Sequence, residues 1–185
     1  MYLLTAPTLE PVTLAEAKLA ARIDYDAFDA MVPGLITAAR QLAEQETGWR
    51  FIAQTWRTEL MDWPAATDVL PVHQATAATI TYWDGSAWDS LSSAAYAFGD
   101  QDNGTALAPA TGSSWPTLGD KPVGSRVRID LTAGAADAAA VPECVKLYIK
   151  ALVAWWVENP SAGAPDNLQE APFLRALLDP VRLWV

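Results

Sequence analysis

The side chains best suited to catalysis are scarce in this sequence and lie far apart. His73 is its only histidine and Cys144 its only cysteine. An ordinary zinc site needs several such ligands, and a Ser-His-Asp triad needs a histidine that links the other two side chains. We therefore expect His73 to be an ordinary loop or strand residue and Cys144 to be a packed thiol. A small hydrolase that uses His73 is the enzymatic alternative, but the sequence itself predicts no catalytic residue and no enzyme.

Two groups of acidic residues invite comparison with a cation site. They are Asp24, Asp26 and Asp29, and further along Asp100 and Asp102 followed by Gly104. The first group lacks the glycine and the distal glutamate of a calcium-binding loop, so helix capping explains it better. The group at 100–104 is closer to such a loop, but a turn needs the same residue types. Neither standard glycine-rich phosphate-binding motif is present, and we predict no metal and no cofactor.

Nine tryptophans suggest a different chemistry, which is stacking on sugar rings. Four of them fall in a region that we expect to be rich in β-strands: Trp56, Trp83, Trp88 and Trp115. Aromatic side chains on a β scaffold can bind carbohydrate, but they also pack sheets and fill contacts between subunits. We favour packing, because the sequence is not all-β, and we keep a carbohydrate-binding module as the alternative function.

The charge distribution disfavours a nucleic-acid-binding surface. The formal net charge is −10, and residues 1–125 hold six Lys or Arg side chains against fifteen Asp or Glu. Binding to DNA phosphates needs clustered basic side chains, whereas an acidic surface repels DNA. No apolar run reaches about 18 residues without a charge, so we predict no membrane-spanning helix. The first residues lack the basic and apolar regions of a signal peptide, so we expect synthesis in the cytoplasm.

Helical signals lie on both sides of a β-like middle region. Thr13 followed by Glu16 matches a capping box. We predict helices over residues 13–24, 27–47 and 141–159. Pro33 would clash with a carbonyl of the preceding turn, so the second helix should be kinked or begin late. The third helix is apolar over most of its surface and should be buried.

The middle region, residues 51–132, changes to the period of two that is typical of strands. Strand patterns cover residues 51–60, 76–83, 86–91 and 126–131, with short candidates near 96–98 and 106–107. Asp84 and Gly85 predict a hairpin with a type I′ turn, in which both central residues have positive φ. The predicted fold class is α+β, with an antiparallel helical bundle core, an inserted β-hairpin-rich region and a C-terminal docking tail. One domain would cover residues 1–160, followed by a flexible linker and tail over 161–185.

Taken in order, these segments resemble the head–tail connector, or adaptor, family of long-tailed phages and phage-derived gene-transfer agents. The matches are LAEAK at 14–18, RID at 22–24, AAR at 38–40 with Glu44 and Thr47-Gly48, QTW at 54–56, SWP at 114–116, VRI at 127–129 with Ala133-Gly134, VPE at 141–143 and LLDPVR at 177–182. They cover most of the chain, and their common order carries the resemblance.

The resemblance implies a structural protein without catalytic residues. Twelve copies would form a ring beneath the portal of the capsid, extend the DNA channel toward the tail and contact the next neck or tail-completion protein. Double-stranded DNA would pass through without specific binding. The C-terminal segment of the family docks on the portal, and the matching residues here are Phe173, Leu174, Leu177, Leu178, Val181, Leu183 and Trp184. The protein would then be located in the neck of a virion or of a gene-transfer-agent particle, with no membrane partner.

Overall fold

The computed structural model describes residues 1–65, 67–159 and 172–182. The α-helices in these residues are α1 (Leu14–Ala20), α2 (Val32–Thr47), α3 (Glu143–Glu158) and α4 (Pro172–Ala176). Short 3-10 helices lie at Asp26–Phe28, Ser93–Ala95, Ala138–Ala140 and Asp179–Val181. The strands are β1 (Tyr2–Thr5), β2 (Gln54–Leu60), β3 (Val69–Leu70), β4 (Ala75–Trp83), β5 (Trp88–Ser90), β6 (Tyr96–Gln101), β7 (Gly104–Pro109) and β8 (Val127–Ala133).

The chain divides into two compact units, each assembled from segments that are not contiguous in sequence. The β unit comprises Met1–Pro7 and Ala53–Gly134, and the helical unit comprises Thr8–Ile52 and Ala135–Trp184. Each unit has a hydrophobic cluster of its own. The β unit is therefore built from two stretches of the chain, one before and one after the first helical segment.

A helical bundle core that carries a β insertion is therefore the wrong description of this fold. The described residues contain eight strands in two antiparallel sheets, with a separate core, so the molecule is β-rich. The strand β1 precedes α1 and pairs with β2, which means that the sheet is not merely inserted between helices. The short candidates near 96–98 and 106–107 are the full strands β6 and β7, which form a second sheet with β3.

The strand β8 organises the β unit. It lies in the middle of the five-stranded sheet β1-β2-β8-β4-β5 and pairs antiparallel with both β2 and β4. Its side chains alternate as the sequence predicts, with Val127, Ile129 and Leu131 buried. Leu70 and Leu107 of the three-stranded sheet β3-β7-β6 belong to the same hydrophobic cluster. The two sheets thus share one core.

Charged side chains pair across strands on the other face of the five-stranded sheet. Arg57 of β2 faces Asp130 of β8, with Nε–Oδ1 and Nη2–Oδ2 distances of 2.6 and 2.7 Å. The hydrogen bond that Arg57 donates to Asp130 raises the pKa of Arg57. Glu59 Oε1 accepts from Arg128 Nε at 3.1 Å and from the Tyr2 hydroxyl at 3.3 Å. These pairs link β1, β2 and β8 in addition to the backbone ladder.

The hairpin predicted at Asp84 is present, but the type I′ turn is wrong. Trp83 pairs with Trp88, so four residues connect β4 and β5. Asp84 Oδ1 accepts from the backbone N–H groups of Ala87 at 2.7 Å and of Ser86 at 2.6 Å, and these hydrogen bonds lower the pKa of Asp84. The side chain of Asp84 thus organises a longer loop, in which Gly85 has positive φ (112°) and Asp84 does not.

The hairpin between β6 and β7 depends on one glycine. Gly104 has φ +138°, and a Cβ there would overlap the carbonyl group of Leu70 on β3. We expect Gly104→Ala to destabilise the β unit by about 2–4 kcal/mol, from backbone strain and overlap together. Gly99→Ala on β6 is the matched control, because a Cβ there has no neighbour within 4 Å. Urea unfolding followed by tryptophan fluorescence measures both, and an equal loss in the two variants would contradict this account.

The first helix begins as predicted and ends early. Thr13 is its N-cap, and the capping box is complete: the Thr13 N–H donates to Glu16 Oε2 at 2.8 Å and the Glu16 N–H to Thr13 Oγ1 at 3.2 Å. The backbone hydrogen bond from Thr13 lowers the pKa of Glu16. The helix ends at Ala20 instead of continuing to residue 24, and Arg22 has a left-handed φ of 55°.

The second helix begins late, which resolves the choice left open at Pro33. It starts at Val32, so Pro33 lies in the first turn, where its missing N–H is not needed. The residues before it form a 3-10 helix at Asp26–Phe28. Gly48 ends the helix in the left-handed conformation, with φ 80°, as its position predicts.

A buried ion network lies on the core side of α2. Arg40 and Glu44 are only 3% and 5% exposed. Arg40 donates from Nε to Glu10 Oε2 at 2.7 Å and from Nη1 to Glu44 Oε2 at 3.0 Å. The Thr37 hydroxyl donates to Glu10 Oε1 and the Phe51 N–H to Glu44 Oε1. Burial opposes the charge of Arg40, but the two glutamates outweigh it and raise the pKa of Arg40. This Arg40 network (Glu10, Arg40 and Glu44) joins α2 to the segments before α1 and after α2.

We expect Arg40→Ala to destabilise the helical unit by about 3–5 kcal/mol, because Glu44 would stay buried without its cation. Gln41→Ala, at an exposed position of the same helix, should change the free energy of unfolding by no more than about 0.5 kcal/mol. Chemical denaturation of the two variants gives the comparison. A loss below about 1 kcal/mol for Arg40→Ala would mean that the network is not a main support of the unit.

Candidate interaction surfaces

Four of the predicted portal-docking side chains pack on the helical unit of their own chain. Leu178 is completely buried, in the hydrophobic cluster that contains Val145, Ile149 and Leu152 of α3. The other three are partly buried against the same cluster: Leu174, Leu177 and Val181. The structure thus brings these four together around one core.

The remaining predicted docking residues cannot be placed in the same way. Leu183, Trp184 and the side chain of Phe173 lie outside the described residues, although the Phe173 backbone belongs to α4. Docking on a portal therefore stays a prediction for all seven positions.

A single carboxylate of α2 binds the tail segment, which we define as Pro172–Arg182. Glu46 Oε1 lies 3.1 Å from Arg175 Nη2, and Glu46 Oε2 lies 3.0 Å from Arg182 Nη2. Arg182 also lies 3.5 Å from Asp179 within the segment. Tyr148 is buried nearby on α3; burial raises its pKa, the charge of Glu46 raises it further, and Arg175 opposes the shift. Ion pairs thus fix the segment on either side of Leu178, and Leu178 itself is buried in the core.

Glu46 is not among the interaction residues that the sequence predicts, although it lies within the second predicted helix. A sequence signal did exist, because Arg175 and Arg182 are the only basic residues after Lys150 and they flank the apolar positions. Their common partner lies more than 120 positions earlier, and no local pattern reveals it.

One group of tryptophans packs within the β unit. Trp63 and Trp115 stack with their ring centroids 4.6 Å apart and planes at 4°. Trp63 also contacts the Tyr82 ring at 5.7 Å and donates from Nε1 to the Pro116 carbonyl at 2.8 Å. Both tryptophan rings pack against the core of the β unit. This group packs the loop that contains Trp115 against the core of the β unit, so the two rings have a structural role.

A second group is covered by cations. Trp83 and Trp88 meet edge to face at 6.0 Å on the β4–β5 hairpin. The Lys121 ammonium lies 4.5 Å and the Arg128 guanidinium carbon 3.9 Å from the Trp88 ring centroid. A sugar that stacked on Trp88 would have to displace cation–π contacts. Together with Trp56, which is also partly buried on the core of the β unit, these contacts favour packing over the carbohydrate-binding alternative.

The first group of acids binds a side-chain cation. Asp26 and Asp29 both accept from Lys18 Nζ, at 3.1 and 2.5 Å, and the hydrogen bond to Asp29 raises the pKa of Lys18. Asp24 is exposed nearby in sequence.

The other group of acids lies on the hairpin between β6 and β7. Asp102 and Asn103 form the turn between paired Gln101 and Gly104. Asp100 Oδ1 accepts from the Gln74 N–H at 2.9 Å. His73 is buried, with Nδ1 3.7 Å from Asp100.

Neither a metal site nor a membrane-spanning helix is found in the described part of the chain. No group of three or more His, Cys, Asp or Glu side chains there is arranged to hold a metal ion. None of its helices is long and apolar enough to cross a bilayer.

Acidic charge is shared between the units. The β unit has four Lys or Arg against nine Asp or Glu, and the helical unit has eight against thirteen. Each unit therefore has a net charge of −5, and neither is a basic partner for DNA phosphates.

The fold is that of proteins in the neck of gene-transfer-agent particles. In the neck of an empty particle solved with C6 symmetry, a chain matches with TM-score 0.76 and 23% identity, over 100% of this chain and 97% of that chain. The virion of a native gene-transfer-agent particle gives TM-score 0.76 and 23% identity over 99% and 95%. The neck of a native particle solved with C12 symmetry gives 0.71 and 23% over 100% and 97%.

These matches confirm the sequence resemblance at the level of the fold. Sequence comparison adds nothing further, since no protein-family model and no curated protein matches the chain.

The packing of Leu178 can be tested without any partner. We expect Leu178→Ala to lower the stability of the helical unit by about 2–5 kcal/mol, because a completely buried leucine is lost. Leu19→Ala is the matched control, since Leu19 on α1 is 80% exposed and should contribute less than about 0.5 kcal/mol. Urea unfolding of the two variants gives the difference. A neutral Leu178→Ala would mean that the tail segment is not packed as described.

Proposed function

We propose that this protein is a structural adaptor that forms a ring between the portal and the tail of a phage-like particle. The observation that carries the proposal is the match of fold over the whole chain to chains in the necks of gene-transfer-agent particles. A match of this extent includes both units, so it does not rest on a common helical or β motif. The proposed role is structural and involves no catalysis. The proposed location is the neck of the particle.

The proposed ring contains twelve copies. One similar neck was solved with C12 symmetry and another with C6, and a ring of twelve copies is compatible with both. Both units are acidic, so a channel wall built from either would repel the DNA backbone and let the duplex pass without specific binding. The next neck protein would bind on the side of the ring that faces the tail.

The anchor on the portal is proposed to be the C-terminal segment with its seven apolar residues. Burial of about four large apolar side chains contributes roughly 6–12 kcal/mol before costs. Ordering about a dozen residues costs as much or more, at roughly 1–2 kcal/mol each. A single arm should therefore bind weakly, while a ring of linked arms gains affinity through effective concentration.

Co-sedimentation with the cognate portal ring tests the proposal. We expect the intact protein to sediment with the portal, and the double variant Leu183→Ala/Trp184→Ala to bind at least about tenfold more weakly, since two large apolar side chains are lost. These two positions are chosen because they belong to the seven predicted docking residues and, unlike Leu178, lie outside the residues that the structure describes.

Val123→Ala is the control, because Val123 is an apolar side chain of the β unit that is 82% exposed, and it should bind like the intact protein. Equal binding by the double variant would keep the adaptor role and move the anchor elsewhere. A failure of the intact protein to bind would overturn the adaptor function itself.

A further inference from the structure

We propose that the helical unit is a docking site for its own tail segment and competes with the portal for it. The contacts of Glu46 with Arg175 and Arg182 hold the segment in its docked position. They therefore lower the fraction of molecules in which the tail is undocked. The regulatory part of this inference rests on the proposed adaptor function. The docking of the tail segment on its own chain does not depend on that function.

The competition follows from the use of the same apolar side chains twice. Leu178 is completely buried in the hydrophobic cluster of the helical unit, and Leu177 and Val181 are partly buried against it. A buried side chain has no surface left for a second partner. If these residues bind a portal, they must first leave the hydrophobic cluster of the helical unit.

The charged contacts make docking specific. Glu46 offers one carboxylate oxygen to each arginine, and the arginines stand on either side of Leu178, seven positions apart. Arg175 is half exposed, whereas Arg182 and Glu46 are about three-quarters buried. The apolar contact thus supplies burial, and the carboxylate fixes the position of the segment along the core.

The position of Glu46 on α2 is itself unfavourable. It is the next-to-last residue of the helix, where the helix dipole disfavours a negative charge. The two arginines compensate for this charge in the docked state. Replacement of Glu46 by glutamine should therefore loosen the tail segment without weakening α2.

Glu46 also separates the two roles of the tail. It belongs to α2 and not to the tail segment, so a change there alters no side chain that is predicted to touch the portal. The apparent dissociation constant of a partner equals its intrinsic value divided by the fraction of open tail. A variant that opens the tail more often must therefore bind the portal more tightly, by the same factor.

The test is Glu46→Gln in the full chain, with amide hydrogen exchange and portal binding measured on one preparation. The useful amides are those of Leu178 and Val181, which donate within the segment to the carbonyls of Arg175 (2.9 Å) and Leu178 (3.0 Å). We expect their exchange to accelerate about twofold to thirtyfold, the range for two partly exposed ion pairs. Portal affinity should rise by the same factor. At high salt, Glu46→Gln and the intact protein should differ less in both measurements.

Glu143→Gln is the matched control, because it removes a different carboxylate of the helical unit, one that pairs with Lys146 at 2.7 Å. It should change neither the exchange of these amides nor portal binding.

The outcomes separate this inference from the adaptor function. Unchanged exchange in Glu46→Gln would overturn the docking role of Glu46. Faster exchange with unchanged or weaker portal binding would overturn the competition. If neither the intact protein nor the variant binds the portal, the adaptor function fails, and the exchange result alone decides whether Glu46 holds the tail.

Discussion

The helical unit is arranged around the buried charge of Arg40. A guanidinium that is 3% exposed costs several kcal/mol unless carboxylates and hydrogen bonds surround it. Glu10 comes from the segment before α1, and Glu44 comes from one turn further along α2. Glu44 also accepts from the Phe51 backbone, where the chain leaves α2. Because a half-satisfied buried network is costly, the folded helical unit has to hold these segments together around Arg40.

Local signals in the sequence predicted the parts of the fold that short-range chemistry decides. The Thr13–Glu16 capping box, the end of α2 at Gly48 and the alternating burial of β8 were each confirmed. In each case the deciding contacts lie within a few residues or repeat with a fixed period. The resemblance to neck proteins used the order of such local signals, which is why it survived an incorrect assignment of the core.

The features that failed are those decided by distant partners. All four residues of β1 are exposed, so the strand shows no alternation and only its pairing with β2 defines it. The sequence alone did not predict the burial of Arg40 and Glu44, because charged residues are buried only when a partner such as Glu10 is available. The docking of the tail on Glu46 is a contact of the same kind.

The pairing of β1 also has a consequence for how the protein is made. Tyr2 lies opposite Arg57, fifty-five positions later, and Gln54 lies opposite Ala133, another seventy-nine positions on. At roughly 5–20 residues per second, a ribosome delivers the central strand β8 several seconds after β2 and longer still after β1. The first strand, whose Leu3 and Leu4 are exposed, is therefore synthesised well before the central strand of the sheet whose edge it forms. The helical segment from Thr8 to Ile52 is complete long before then, so on the nascent chain the early helices precede the sheet whose edge was synthesised first.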